Sequence, residues 1–198
     1  MLSVTARPGG TIRPATAADL PALAQLCADH AAYERAEPVP ADLAARLEPA
    51  LFAAQPRAWC LVVDHGGELT GYASYSREFS TWQAAEYVHL DCLFVTEAHR
   101  GGGWGRALLD AVRVAAAELG AAQLQWQTPD WNTDAIRFYH REGAVGRPKV
   151  RFSLAAVLDA GATGAGPGPA GRPGRGPLRG VAGGVGRGCQ PSFSVEGR

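Results

Sequence analysis

One stretch near the middle of the chain constrains the fold more than any other: Arg100-Gly101-Gly102-Gly103-Trp104-Gly105-Arg106. It lies between an apolar run of strand length, Glu86 to Val95, and a long helical pattern, Gly103 to Leu119. In that pattern Leu108, Leu109, Val112, Ala115, Ala116 and Leu119 share one side, and Gly120 stands at the C-cap position. A strand that turns through glycines into a helix exposes a row of backbone N–H groups at the helix start. Glycine lets the backbone turn tightly and approach a ligand with no Cβ in the way. The N–H groups and the helix dipole together make a site for phosphate oxygens. Arg100 or Arg106 can add a charge-assisted contact.

Three ligand-binding patterns compete for this loop, beside a plain glycine turn. A P-loop requires Lys and a hydroxyl after its last glycine, and neither follows Gly105. A dinucleotide fingerprint fits Gly101 and Gly103, but Arg106 occupies the place of its last glycine. The third pattern, [RQ]-x-x-G-x-[GA], is matched by Arg100, Gly103 and Gly105.

The surrounding elements predict a mixed α/β domain around one sheet. Thr11 to Arg13 reads as a short strand, and Thr16 with Asp19 reads as a helix start of capping-box type. Leu20, Leu23, Ala24, Cys27 and Ala31 follow at helical spacing. A second helix is expected over roughly 40 to 53, interrupted at Pro49. Trp59 to Asp64 and Leu69 to Arg77 form a hairpin about His65-Gly66-Gly67. Leu124 to Thr128 is a further strand. Asn132 caps a helix that ends at Gly143, and Val150 to Leu154 is a last strand.

Composition divides the chain and narrows its partners. Residues 159–198 hold 13 Gly and 5 Pro, and their apolar residues show no period. Such a segment cannot bury enough surface to offset the entropy of ordering it, so a disordered tail is expected after a domain over 1–158. The whole chain has 19 basic and 19 acidic residues, which argues against a nucleic-acid binder with a broad basic field. No run reaches the roughly 18 apolar residues that span a bilayer. The first residues lack the apolar core of a signal peptide, so the expected compartment is the cytoplasm. The four Cys lie far apart, and neither they nor the five His have metal-ligand spacing.

The glycine loop has a companion downstream, Asp130-Trp131-Asn132-Thr133-Asp134-Ala135-Ile136-Arg137-Phe138-Tyr139, then Gly143-Ala144. Together the two stretches resemble the GNAT superfamily of acyl-CoA-dependent N-acyltransferases. The segments Thr11 to Thr16, Ala32-Tyr33-Glu34, Phe79 to Trp82 and Leu90 to Val95 are similar to its diamine (spermidine/spermine) and thialysine acetyltransferase branch. The likeness runs from about 11 to 154. It implies a mostly antiparallel sheet splayed at the cofactor site and flanked by helices. Acetyl-CoA is the implied cosubstrate and a small primary amine the acceptor. One departure stands out: where the branch has a second acidic residue on the central strand, this chain has Cys92.

The resemblance also assigns roles. Arg100, Gly101, Gly102, Gly103, Trp104, Gly105 and Arg106 hold the CoA pyrophosphate, with Trp104 as a packing residue of the loop. Leu93, Phe94 and Val95 carry the backbone beside the thioester, where an N–H stabilises the oxyanion. Asn132 and Tyr139 lie beside the pantetheine arm. Tyr139 is the candidate acid for the thiolate, since a phenol with a pKa of about 10 stays protonated at neutral pH. A core tyrosine is the plainer reading of the same residue. An alkyl ammonium must lose a proton before it attacks, at a cost of about 4 kcal/mol near pH 7.4. Asp91 matches the acidic position that assists this step. His89 shares its face in an unbulged strand and has a pKa nearer the working pH, although a sheet histidine is the plainer reading. Tyr33, Glu34, Trp82 and Cys92 match the amine channel; for Glu34 and Trp82, ordinary solvation and packing are the alternatives. The branch is commonly dimeric, so a homodimer is implied. A protein or peptide N-acetyltransferase and a non-catalytic CoA sensor remain as rival functions.

Overall fold

The chain enters the sheet one strand earlier than its apolar pattern suggests. The computed structural model describes residues 5–153. In it β1 (Thr5–Arg7) pairs antiparallel with β2 (Gly10–Pro14) across a turn at Gly9. Thr16 and Asp19 make the expected cap, with Asp19 accepting from both the N–H and the hydroxyl of Thr16. The cap opens a single 3-10 turn, Ala17–Asp19, which leads into α1 (Leu20–Tyr33). Helix α2 (Leu43–Phe52) runs through Pro49 rather than breaking there. It buries no residue fully, and Leu47 and Leu51 lean on α1 and the sheet.

Three long strands follow: β3 (Trp59–His65), β4 (Glu68–Ser80) and β5 (Ala85–Val95). Gly66 and Gly67 both have positive φ, +68° and +100°, as a two-residue hairpin turn demands. Helix α3 (Trp104–Glu118), β6 (Leu124–Gln125) and α4 (Thr133–Arg141) complete the elements. The sheet order is β1-β2-β3-β4-β5-β6, antiparallel except for the β5–β6 pair. The mixed α/β architecture is the one expected.

The run Trp59 to Val63 is apolar throughout because this sheet is covered on both faces. Leu61 and Val63 face α3, whereas Cys60 and Val62 face α1. Two irregularities then shape the site. The first is a bulge: Ser74 pairs with Cys92 and Tyr75 with Leu90, which leaves Asp91 extra on β5. Before the bulge Val88 and Leu90 face α3; after it Leu93 and Val95 do, while Cys92 and Phe94 face α1. One extra residue has inverted the alternation. This is the bulge that breaks the simple register between His89 and Asp91.

The second is a splay. β6 is only two residues long, not the five expected, and meets β5 only at Val88↔Leu124 and His89↔Gln125. From Leu90 onward that edge of β5 has no strand beside it among the described residues. The last expected strand does not form over 150–153, which carry no helix or strand; Leu154 and the expected tail, 159–198, lie outside the described residues. No described helix is long and apolar enough to cross a membrane.

Candidate active site

The glycine loop is built as its composition demands. Gly101 and Gly103 have φ of +79° and +78°, a region that L side chains rarely adopt. Gly103 stands at the N-cap of α3, and no acidic residue occupies the first turn. Trp104 is buried; its indole meets the His65 ring edge-on at 4.9 Å, and His65 lies 4.8 Å from His99. Trp104 therefore pins the loop to the sheet, a packing role. Arg106 turns to Glu142 at 3.3 Å and Asp110 at 3.8 Å. Arg100 donates from Nε to the Val95 carbonyl at 3.0 Å and lies 4.5 Å over the Tyr33 ring.

The splay supplies an unpaired backbone edge. Thr96 N–H donates to Thr70 O on β4, so the two-residue period turns Leu93 and Val95 the other way. Val95 O is taken there by Arg100, and the Leu93 N–H faces the opening. The Phe94 side chain points to the α1 face, where it stacks on His30 at 5.0 Å.

Helix α4 brings the second motif to this opening. Asn132, 6% exposed, caps it by accepting the Ala135 N–H at 3.2 Å. The same Oδ1 accepts from the Tyr33 hydroxyl at 3.4 Å, which ties the end of α1 to the start of α4. Tyr139 packs on Trp126 at 5.0 Å, just past the end of β6. Burial pushes its phenol up to about 12, and Glu34, Cys92 and Tyr33 add to the rise. Those three lie on α1, its C-cap and β5. Tyr139 thus sits where α1, β5 and the departing β6 meet, and it keeps its proton at neutral pH.

Cys92 lies beside Asp91, Sγ to Oδ2 3.6 Å. Burial pushes this thiol up to about 12, with Asp91 adding to the shift. A thiol in that state is not a nucleophile at neutral pH. Asp91 itself is exposed. His89 pairs with Ser76 and Gln125 inside the sheet. A cleft of about 400 Å3 opens on the α1 side of the loop, lined by Asp29, Tyr33, Phe94, Thr96, Glu97 and Arg100.

Residues 23–144 match the Acetyltransferase (GNAT) family. The chain belongs to that family. Among curated relatives, the L-ornithine N5-acetyltransferase NATA1 of Arabidopsis thaliana is 32% identical over 76 residues, covering 38% of this chain and 33% of its own. The thialysine N-epsilon-acetyltransferase of Bos taurus is 30% identical over 101 residues, covering 47% and 59%. The chain thus spans between a third and three fifths of these relatives' lengths. A solved structure described as a transcriptional regulator from Bacillus halodurans C-125 matches with a TM-score of 0.64 at 22% identity, over 73% of this chain and 99% of its own. That likeness shows the fold.

Within this GNAT domain Tyr33, Glu34, Asp91, Cys92, Asn132 and Tyr139 gather round the opening, with Arg100 reaching in from the loop. Trp82 does not join them. It is 98% exposed at the tip of the β4–β5 hairpin, beyond Ser80, which ends β4 eight residues along from Tyr72, the partner of Phe94. At a rise of about 3.3 Å per residue that is roughly 26 Å.

Two residues escape a reading of the sequence. His30 places Nδ1 3.0 Å from the Tyr72 hydroxyl and Nε2 3.5 Å from Glu34. Burial pulls its pKa down, against Glu34, so the ring is held toward neutrality. A carboxylate only accepts, so Nε2 carries the proton toward Glu34 and Tyr72 donates to Nδ1. The i,i+4 spacing of His30 and Glu34 was visible; the strand hydroxyl that orders the pair was not. The second residue is Arg7, whose guanidinium reaches the glycine loop from β1.

Proposed function

We propose that this chain is an acetyl-CoA-dependent N-acetyltransferase that acetylates a primary amine of a small molecule of polyamine, diamine or thialysine type. The observation that carries the reading is the opening between β5 and β6, with the glycine loop at one end and Tyr139 on its wall. A thioester laid along the unpaired β5 edge would present its carbonyl to the Leu93 N–H. That donor stabilises the negative charge that develops on oxygen.

The acceptor ammonium first gives up a proton to solvent, assisted by Asp91. The free amine then forms the C–N bond, the C–S bond breaks, and the nitrogen loses its second proton. Tyr139 gives its phenol proton to the departing sulfur, which leaves as thiol, and the proton lost from nitrogen passes through solvent to restore the phenol. Glu34, oriented by His30, and Asp91 attract the cationic acceptor; the Tyr33 ring offers it an aromatic face. By their names, the relatives from Arabidopsis and cattle act on N5 of L-ornithine and on the epsilon nitrogen of thialysine, in keeping with this class of acceptor. With Cys92 in place of a second carboxylate, the site carries one charge fewer for a polyamine. A homodimer belongs to the same reading, because a second copy would be the route by which Trp82 enters an amine site.

The test is thiol release from acetyl-CoA by the full chain, with spermidine, putrescine, thialysine, L-ornithine, an aminoglycoside and a lysine peptide, each against a blank without amine. Turnover of one small amine far above the others is the expected result. Turnover of the peptide alone would move the reading to a peptide acetyltransferase. Binding of CoA with no turnover would move it to a sensor.

A further inference from the structure

Arg7 belongs to neither motif and lies 96 residues from the loop it touches. Its Nη1 donates to the Gly103 carbonyl at 3.4 Å, and its guanidinium carbon lies 5.5 Å from the centre of the Trp104 ring. Its Nη2 stands 2.9 Å from where a Cβ on Gly103 would be, so Gly103 is required for this approach as well as for its φ. We propose that Arg7 is a phosphate-binding residue of the cofactor site, delivered to the glycine loop by the N-terminal hairpin. The proposal rests on the acetyl-CoA reading above.

The electrostatics of the loop suit an anion. The N-terminus of a helix carries partial positive charge and disfavours cations. Here three arginines surround the start of α3 and no acidic residue occupies its first turn. Two of the three are engaged elsewhere. Arg106 is paired with Glu142 and Asp110, and Arg100 is bonded to Val95 O and lies over Tyr33. Arg7 is exposed and touches no carboxylate among the described residues; its contacts are one long hydrogen bond and an indole face. Five guanidinium donors serve one distant carbonyl poorly and a phosphate well. The buried Trp104 ring holds the planar group against the loop. Arg7 therefore becomes well placed only when an anion sits on the loop.

The experiment is calorimetric titration of the full chain with CoA and with dephospho-CoA, for the wild type, Arg7→Ala, Arg7→Lys and Arg113→Ala. Arg113 is a surface cation of α3 beside Asp110 and serves as the control. The expected result is CoA binding about tenfold weaker in Arg7→Ala, partly restored in Arg7→Lys and within about twofold of wild type in Arg113→Ala. At saturating acetyl-CoA, kcat is unchanged and KM rises, and melting temperatures agree among the free proteins. If dephospho-CoA also binds more weakly to Arg7→Ala, Arg7 meets the pyrophosphate; if only CoA does, it meets the 3′-phosphate. Equal CoA affinity in wild type and Arg7→Ala overturns the assignment and leaves the acetyl-CoA reading standing. A wild type that does not bind CoA overturns both.

Discussion

Towards α3 the sheet presents Leu61, Val63, Ala73, Val88 and Leu90, and Leu108, Val112 and Ala115 of the helix close on them; all of these are buried side chains of carbon alone, and Tyr75 beside them adds one hydroxyl. Towards α1 the neighbouring positions are Cys60, Tyr72, Cys92 and Phe94, with Cys27 and His30 opposite. The α3 face ends at the glycine loop, which needs a rigid platform for its N–H groups. The α1 face ends at Glu34, Asp91 and Tyr33, the oriented polar groups that the proposed cationic acceptor would need. A single sheet serves both because the bulge at Asp91 sends the residues after it to opposite faces from those before it.

Truncation separates the two faces most strongly. Leu108→Ala, at a fully buried site on α3, should cost about 3 to 4 kcal/mol in urea unfolding, because a close-packed carbon wall collapses little. Leu26→Ala, on α1 beside the loosely covered α2, should cost about 2 kcal/mol. Equal costs would mean that the α1 face is packed as tightly as the other.

Tyr139 stands where the two faces meet. Tyr139→Phe should lower kcat about a hundredfold, the lower end of acid–base effects, with CoA affinity unchanged. Wild-type turnover in this variant would remove the phenol from the mechanism and return Tyr139 to the packing of Trp126.

The smallest effect concerns how α1 is seated. Asp19 at its start accepts two N–H bonds from Arg13, at 2.7 and 2.8 Å, and two bonds from Thr16. The Arg13 guanidinium holds the Asp19 carboxyl well below the usual carboxylate range. A depressed folded value gives stability that is complete above the unfolded value of about 4 and is lost as pH falls below it. Wild-type stability should therefore fall by about 1 to 2 kcal/mol between pH 5 and pH 2 through this pair. Arg13→Ala should be less stable at pH 7 and should show less of that acid slope. An unchanged slope would place the acid sensitivity elsewhere.

Much of the domain was legible in the chain. The hairpin at Gly66-Gly67, the amphipathic α3 with Gly120 beyond it and the Asn132 cap all follow from local preferences, and all formed. So did the loop and the Asn132–Tyr139 helix, because glycine turns and caps act within a few residues. Other features were missed or misread for equally physical reasons. β1 is three residues with little apolar content, and it persists as an edge partner of β2. Helix α2 continues through Pro49 although the local rule breaks it there. β6 stops after Gln125 although Trp126 extends its apolar run, and the next contact of that residue is the Tyr139 ring.

The sequence by itself determined the order of elements from β2 to α4, the glycine conformations of the loop and the residue types at the opening, since these depend on neighbours in the chain. Only the tertiary structure decided that Asp91 is bulged, that one edge of β5 is left without a strand beyond His89, that His30 is ordered by Tyr72, and that Arg7 reaches Gly103. Each of these is a pairing across tens of residues. Such pairings depend on how strands slide and helices dock against one another, which no local preference specifies.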